Sequence, residues 1–425
     1  MPLAGRYSET GPKPSARGYS LSHLFSVKHF FSKFVVTKSV ITKPVATFMG
    51  LPLGFPQLVA AILLVFFLGQ GILHSARTPL SMVERSFLAQ GQEQLAGGAP
   101  MQNSLHSPLA ALLGGMMPGQ QDPEALLGPE RRTQEAPGTR LLARFPFLLT
   151  GLMLGASLWY VSRRLFGNAG GYTALALYGF TPALIAYSDS VQPGIFATWG
   201  AFGVVFTSLA VAHTLYAPRE VVLWNWRRIL LLGLSVAFAV GSHFALVMLL
   251  PLAAALLLYL APERRGAAVV ILVAGCAVAV TVLWMVYSFR FTELAVGLGH
   301  ISLRGFTPGA LISSLSYTLL VLFLLRAPGF LVLLIAAIGT FIAWPRARFF
   351  GTAAPFLVFV FLLALAVVFP HQAGFTFFVV SLPFAFVFVA GVFADLLDSP
   401  VAPLAMGVLI AGLACHAMFA LVNRW

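Results

Sequence analysis

The stretch from Arg144 to Ala197 decides the fold of this chain, and it reads RFPFLLTGLMLGASLWYVSRRLFGNAGGYTALALYGFTPALIAYSDSVQPGIFA. Two apolar runs, each near the ~20 residues that a helix needs to cross a bilayer, are joined by a short basic turn at 163–167. The second run closes with a Thr-Pro pair and a polar segment at 187–192. This arrangement predicts an integral membrane protein.

The composition of the whole chain supports the same conclusion. Of its 425 residues, 59% are hydrophobic and only 9% are charged, and the mean hydropathy is +0.89. A soluble domain carries about 25% charged residues, so a protein core could not hide this much apolar surface and the bilayer must solvate it. The net charge of +13 is interpreted as Lys and Arg retained on cytoplasmic loops, and no nucleic-acid partner is expected.

No motif for a soluble cofactor enzyme is present. Cys276 and Cys415 both lie inside apolar runs and are interpreted as small buried hydrophobes. The sequence contains no Cys-x-x-Cys, His-Glu-x-x-His, phosphate-binding loop or dinucleotide fingerprint. It therefore predicts no resident metal and no cofactor, although a divalent cation remains an option if the protein is an active transferase.

The apolar runs predict an all-α, polytopic membrane fold with about eleven spans. These spans are 57–73, 143–161, 170–187, 194–215, 228–241, 244–261, 267–286, 316–343, 352–370, 375–393 and 401–422. A Gly-x-x-x-Gly motif at 151–155 offers close helix packing, and no convincing internal repeat is present.

Charge distribution predicts the orientation. If the N-terminus is cytoplasmic, the short basic loops near 163–164, 219–228, 264–265 and 346–348 all lie inside, as the positive-inside rule requires. The large loop from 74 to 140 then lies outside, in the periplasm of an inner-membrane protein. It holds six of the thirteen acidic residues, which favours a site there but also suits an ordinary solvated loop.

The N-terminal 55 residues form a separate basic segment, and residues 56–425 form the transmembrane domain that includes the 74–140 loop. Residues 1–50 carry seven Lys or Arg against one acid, Glu9. Apolar and basic side chains alternate between 21 and 38, which is typical of an amphipathic helix lying on the cytoplasmic leaflet. A disordered basic tail and a partner-binding arm are the alternatives.

Several short motifs occur in an order that resembles the GT-C class of polytopic glycosyltransferases, specifically the protein mannosyltransferase and aminoarabinose transferase family. The motifs are Leu142-Ala143-Arg144-Phe145-Pro146, Leu165-Phe166-Gly167, Thr181-Pro182, His106-Ser107-Pro108-Leu109 and the segment GFTFFVVSLPF at 374–384. The resemblance covers about 84–390. It implies a GT-C fold in which an external carboxylate deprotonates the acceptor and basic residues hold the leaving lipid phosphate of a polyprenyl-phosphate donor.

The resemblance fails at several positions where it would supply chemistry. The Asp-Glu pair of the family reads Val83-Glu84, so the first carboxylate is absent. The acid expected before the His-Pro-Pro segment is Leu105, the Asp expected after the third span aligns with Gly194, and the late arginine aligns with Thr376. Asp189 could replace the missing Asp only through a rearranged loop.

The surviving candidates each have a plain alternative. Glu84 is the candidate base or an ordinary loop acid, and His106 is a site residue or a helix-start histidine. Arg144 and Arg326 match family positions that bind lipid phosphate. Two further phosphate-binding candidates complete the set. Arg304 belongs to an external cluster with Arg290, Glu293 and His300 that also suits an interface-facing loop, and His243 also suits a satisfied helix end.

Three functions follow from these residues. The first is a GT-C-fold protein that has lost catalysis and serves as a membrane-complex subunit or lipid-binding scaffold, with membrane lipids and other membrane proteins as partners. The second is an active inverting transferase that uses Glu84 on a polyprenyl-phosphate sugar. The third is an unrelated transporter or channel, which the scarcity of charge within the spans disfavours.

Overall fold

The structure is a computed structural model that describes residues 46–48, 51–97, 109–116, 137–215, 226–287, 328–344, 350–369, 371–394 and 402–422, with short pieces at 295–296, 299, 309, 312–313 and 315–316. The amphipathic helix expected within 21–38 lies outside these residues. The described part is helical apart from a small antiparallel hairpin, in which β1 (Ala46–Phe48) pairs with β2 (Leu51–Leu53). The hairpin was not expected, because its few residues carry no alternating pattern of useful length.

The first membrane helix, α1 (Phe55–Arg77), has Pro56 in its first turn and is capped at its C-terminus by Thr78. Proline suits the first turn of a helix because its missing N–H would have no partner there. At the other end, both the backbone N–H and the hydroxyl of Thr78 donate to the carbonyl of His74, at 2.9 and 2.6 Å. This closure stops the helix just before the site described below.

The large loop after α1 contains two helices, α2 (Met82–Leu95) and α3 (Leu109–Gly115). They cross with backbones in contact, since a Cβ added to Gly91 or Gly115 would overlap backbone atoms of the other helix. The amide of Gln94 donates to the carbonyl of Val286 at 3.0 Å, which fastens the end of α2 to the membrane bundle. The described part of this loop is therefore packed against the bundle.

The quoted stretch folds as α4 (Pro137–Gly179). Its 43 residues would span about 65 Å as one straight helix, roughly two crossings of a ~30 Å hydrocarbon core. Gly167, at φ 78°, breaks it into two halves that fold back on each other, a conformation that a side chain would strain. Tyr178 donates to the carbonyl of Gly151 at 2.7 Å, and a Cβ at Gly155 would lie 3.0 Å from the Tyr178 ring.

The rest of the described bundle follows in chain order. Its helices are α5 (Pro182–Ser188), α6 (Gly194–Thr214), α7 (Trp226–Ser242), a 3-10 helix (Phe244–Met248), α8 (Leu249–Leu260), a 3-10 turn (Pro262–Arg264), α9 (Arg265–Val286), α10 (Pro328–Ala343), α11 (Phe350–Val368), α12 (His371–Ala394) and α13 (Ala402–Val422). Almost every residue of α12 from Phe375 to Ala394 is buried, so α12 is the central helix.

The membrane fold predicted from the sequence is confirmed. Six helices of the described part are long and apolar enough to cross a bilayer: Phe55–Arg77, Pro137–Gly179, Gly194–Thr214, Pro262–Val286, Phe350–Val368 and Phe375–Ala394. Shorter apolar helices occupy Phe244–Leu260, Gly329–Ala343 and Gly407–Phe419. The count of eleven spans stays a prediction, because these shorter helices are below the usual crossing length and residues 317–327 are not described.

Candidate functional site: a buried network at the start of the large loop

Glu84 is held at the first turn of α2 by a reciprocal capping box. The backbone N–H of Glu84 donates to the hydroxyl of Ser81 at 3.2 Å, and the N–H of Ser81 donates to Oε2 of Glu84 at 2.8 Å. The sequence carries a direct signal for this arrangement, because a serine followed three residues later by a glutamate is the pattern that caps a helix N-terminus. One role of the Glu84 carboxylate is therefore to cap the N-terminus of α2.

The same carboxylate forms a bidentate ion pair with Arg144 of α4. Nε of Arg144 lies 2.8 Å from Oε1, and Nη2 lies 2.9 Å from Oε2. The backbone N–H of Val191 also donates to Oε1, at 3.0 Å. Each oxygen of Glu84 thus accepts two hydrogen bonds, and the residue is only 3% exposed.

Arg144 uses its remaining N–H groups at the end of α1. Nη1 donates to the carbonyls of Ser75 at 3.3 Å and Thr78 at 3.0 Å, and Nη2 donates to the carbonyl of Pro79 at 3.2 Å. A guanidinium has five donors, and here all five are engaged. The ion pair therefore links the end of α1, the start of α2 and the turn that contains Val191 in one buried unit.

The electrostatics favour an ionised Glu84. Burial by itself would raise the pKa of this carboxyl, but the hydrogen bond and charge of Arg144, with the N–H groups of Ser81 and Val191, outweigh it and hold the pKa below its ordinary value of 4.5. A general base works best with a pKa near the operating pH. In this geometry Glu84 is a weak base whose lone pairs are already occupied.

A second buried pair adjoins the first. Oδ2 of Asp189 lies 2.5 Å from Nδ1 of His74 and accepts from the hydroxyl of Ser75 at 3.2 Å. Ser75 links the two pairs, since its carbonyl accepts from Arg144. Asp189 is 1% exposed, and its Oδ1 has no hydrogen-bond partner among the described residues. Burial raises the pKa of Asp189, opposed mainly by His74.

We expect Asp189→Asn and Glu84→Gln to change stability in opposite directions. The raised pKa of Asp189 means that its ionised form opposes folding above the ordinary value of 3.8, a cost that disappears as the pH falls through the raised pKa. The Asn variant should therefore match or exceed the parent at about pH 7, with the gap closing in acid. The apparent melting temperature in detergent at a series of pH values measures this. A large loss of stability at about pH 7 in Asp189→Asn would contradict the assignment.

The structure thus brings together two of the predicted site residues, Glu84 and Arg144, in one ion pair. His243 is 1% exposed at the junction between α7 and the 3-10 helix, on elements that do not build this network. His106, Arg304 and Arg326 lie outside the described residues. His74 was missed by the sequence analysis, because a lone histidine at the end of an apolar run gives no sign of an aspartate 115 residues away.

The resemblance expects an acid or an arginine at four positions where this chain has another residue, and the structure describes three of them, while Leu105 lies outside the described residues. Val83 is a 53% exposed apolar side chain. A Cβ added at Gly194 would overlap the phenol ring of Tyr187, so the ring occupies the space that an aspartate there would need. Thr376 is 6% exposed on the central helix α12.

An apolar cavity of about 510 Å³ opens between the end of α4, the start of α10 and α13. Phe180, Thr181, Phe330, Leu413 and His416 are among its lining residues. Within the described residues, no group of three His, Cys, Asp or Glu side chains could hold a metal ion. The geometry therefore offers an apolar cavity and, among the described residues, no adjacent metal cluster of this kind.

Comparison with known proteins identifies the fold. No family model matches the chain, and no curated protein matches it. Among solved structures, ArnT from Cupriavidus metallidurans in the apo state is similar, with a TM-score of 0.54 and 16% identity over 84% of this chain and 62% of that chain. At this identity the likeness shows the fold, which is the GT-C fold. The chain spans 62% of the length of that protein.

Proposed function

We propose that this chain is a GT-C-fold membrane protein that no longer transfers sugar and acts as a lipid-binding scaffold or a subunit of a membrane complex. The observation that carries this proposal is the saturation of Glu84. Its four acceptor positions are taken by Arg144, Ser81 and Val191, so the candidate base has no lone pair left for an acceptor hydroxyl.

The neighbouring positions support the same proposal. Val83 stands where the resemblance places a carboxylate, and the ring of Tyr187 fills the space beside Gly194. Arg144 spends its donors on Glu84 and on three carbonyls, which leaves no N–H for a lipid phosphate. Losing preorganised charges of this kind costs several kcal/mol of transition-state stabilisation.

The alternative is an active inverting transferase that takes a sugar from a polyprenyl-phosphate donor. The apolar cavity of about 510 Å³ and the buried Asp189, with one oxygen unpartnered among the described residues, favour this alternative. This alternative requires one of two changes. Either the ion pair between Glu84 and Arg144 breaks, or Asp189 acts as the base in place of Glu84. It also leaves room for a divalent cation held together with the phosphate of the substrate.

Localisation and partners form part of the proposal. The chain is an integral membrane protein, and we propose the inner membrane with the N-terminus in the cytoplasm and the 74–140 loop outside. The positions of four arginines support this orientation, because all four lie at helix ends away from Glu84. They are Arg163 and Arg164 at the end of the first half of α4, Arg228 at the start of α7 and Arg264 just after α8. We propose membrane lipids and other membrane proteins as the partners.

Turnover separates the two functions. Purified protein supplied with a polyprenyl-phosphate sugar should release no sugar above the detergent blank, while a transferase of the same fold purified in parallel does. Glu84→Gln and Asp189→Asn should be as inactive as the parent. Turnover in the parent that disappears in either variant would overturn the proposal and identify the base.

The subunit function has its own test. Mild-detergent extraction from native membranes should yield a stable assembly larger than the 45.6 kDa chain. Purification of a clean monomer with no stoichiometric protein partner would overturn the subunit function and leave the lipid scaffold.

A further inference from the structure

A second cavity lies at the opposite end of the bundle from Glu84. It has a volume of about 270 Å³ and lies among the first half of α4, α6, α7, α8 and the start of α11. Arg144 and Arg164 are about 30 Å apart along α4 at 1.5 Å per residue, which is the thickness of the hydrocarbon core. The cavity therefore lies at the other membrane interface and is separate from the Glu84 network.

Two arginines and one histidine line this cavity. The two guanidinium groups are those of Arg164 on α4 and Arg228 on α7, and His213 lies at the end of α6. Arg228 is also placed by the carbonyl of Ala210, which Nη1 approaches at 3.5 Å. Within the part of the chain that the structure describes, the lining of this cavity includes no carboxylate. Two guanidinium groups on the wall of one cavity favour an anionic ligand, because each presents a planar set of N–H donors that matches phosphate oxygens.

The other walls of the cavity are apolar. They include the side chains of Phe206, Leu209, Leu260, Phe350 and Pro355. A ligand that fits both the charge and the walls has a phosphate at one end and hydrocarbon that continues into the bilayer.

We propose that this cavity binds the phosphate of an anionic glycerophospholipid from the leaflet that faces Arg164. Guanidinium groups bind phosphate oxygens with charge-assisted hydrogen bonds, and the negative surface of the cytoplasmic leaflet supplies such headgroups where the positive-inside rule places this end. The site is independent of whether sugar transfer survives, because it lies across the membrane from Glu84 and Asp189. It would fasten α4, α6 and α7 together through one headgroup.

The test compares lipid retention by purified full-length protein in native mass spectrometry and in nanodiscs. The parent should retain phosphatidylglycerol about tenfold better than phosphatidylcholine. The double variant Arg164→Gln/Arg228→Gln should lose this preference. Arg163→Gln is the matched control and should keep it, since Arg163 donates to Asn168 at 2.8 Å, stacks on Trp159 and does not line the cavity.

A second variant guards against misfolding of the arginine variant. Ala210 lines the cavity and is exposed, so Ala210→Leu narrows the cavity without entering the core. It should elute as the parent does and retain less phosphatidylglycerol. Equal retention of the two lipids by the parent, or an unchanged preference in both variants, would overturn the proposal. Preferential retention of polyprenyl phosphate over phosphatidylglycerol would overturn the assignment to a glycerophospholipid.

Discussion

Replacing Arg144 with Met should lower the free energy of unfolding by about 3–5 kcal/mol, the usual effect of breaking a buried ion pair from one side. The variant leaves Glu84 charged and 3% exposed, and it removes the donors to three backbone carbonyls at the end of α1. The double variant Glu84→Leu/Arg144→Met should recover part of the loss, because no unpaired charge then remains in the core. The apparent melting temperature of detergent-purified protein measures both effects.

Arg140 gives the matched control for this prediction. It lies one turn earlier on α4, is half-buried and approaches the carbonyl of Ala76 at 3.5 Å. Arg140→Met removes the same charge from a residue that solvent partly reaches and whose hydrogen bond to the Ala76 carbonyl is long, so it should cost less than about 1 kcal/mol. If Arg140→Met and Arg144→Met were equally destabilised, or if the double variant simply added the two single losses, the pair would not act as a unit.

The same pair predicts a pH dependence. Because the folded-state pKa of Glu84 is lowered, its contribution to stability is complete above the unfolded value of 4.5 and is lost as the pH falls through the folded pKa. Parent protein should therefore lose stability below about pH 4.5, while the double variant should lose less over the same range. This behaviour is opposite in sign to that expected of Asp189.

The sequence predicted the membrane helices because the bilayer imposes a strong and local rule on hydropathy. The turn at 163–167 and the Gly-x-x-x-Gly packing at 151–155 can both be predicted from neighbouring residues. The functional residues are different. Glu84 and Arg144 are 60 residues apart, and each was given a separate role, as base and as phosphate ligand. Only the three-dimensional structure shows that the two side chains bind each other in an ion pair.

Positions 83 and 194 show the same division between local and distant information. The absence of an acid at 83 and 194 could be read from the sequence through the resemblance. The filling of the space beside Gly194 by Tyr187, seven residues earlier, depends on the helix-to-helix turn between α5 and α6. The phenol ring therefore fills the corner in which the resemblance expects an aspartate side chain.

Close packing between α6 and α7 sets the last prediction. A Cβ added to Gly200 would overlap the backbone of Ala239, and would lie 2.8 Å from its Cα, where no flexible side chain can move aside. Gly200→Ala should therefore force α6 and α7 apart and lower the free energy of unfolding by about 3 kcal/mol, at the upper end of ordinary overpacking.

Gly339→Ala on α10 is the control, because a Cβ there meets nothing within 4 Å. It should be neutral or stabilise by up to about 1 kcal/mol, since alanine is the better helix former. Melting temperatures measured side by side decide the matter: equal values for the two alanine variants would mean that α6 and α7 do not pack through their backbones at Gly200.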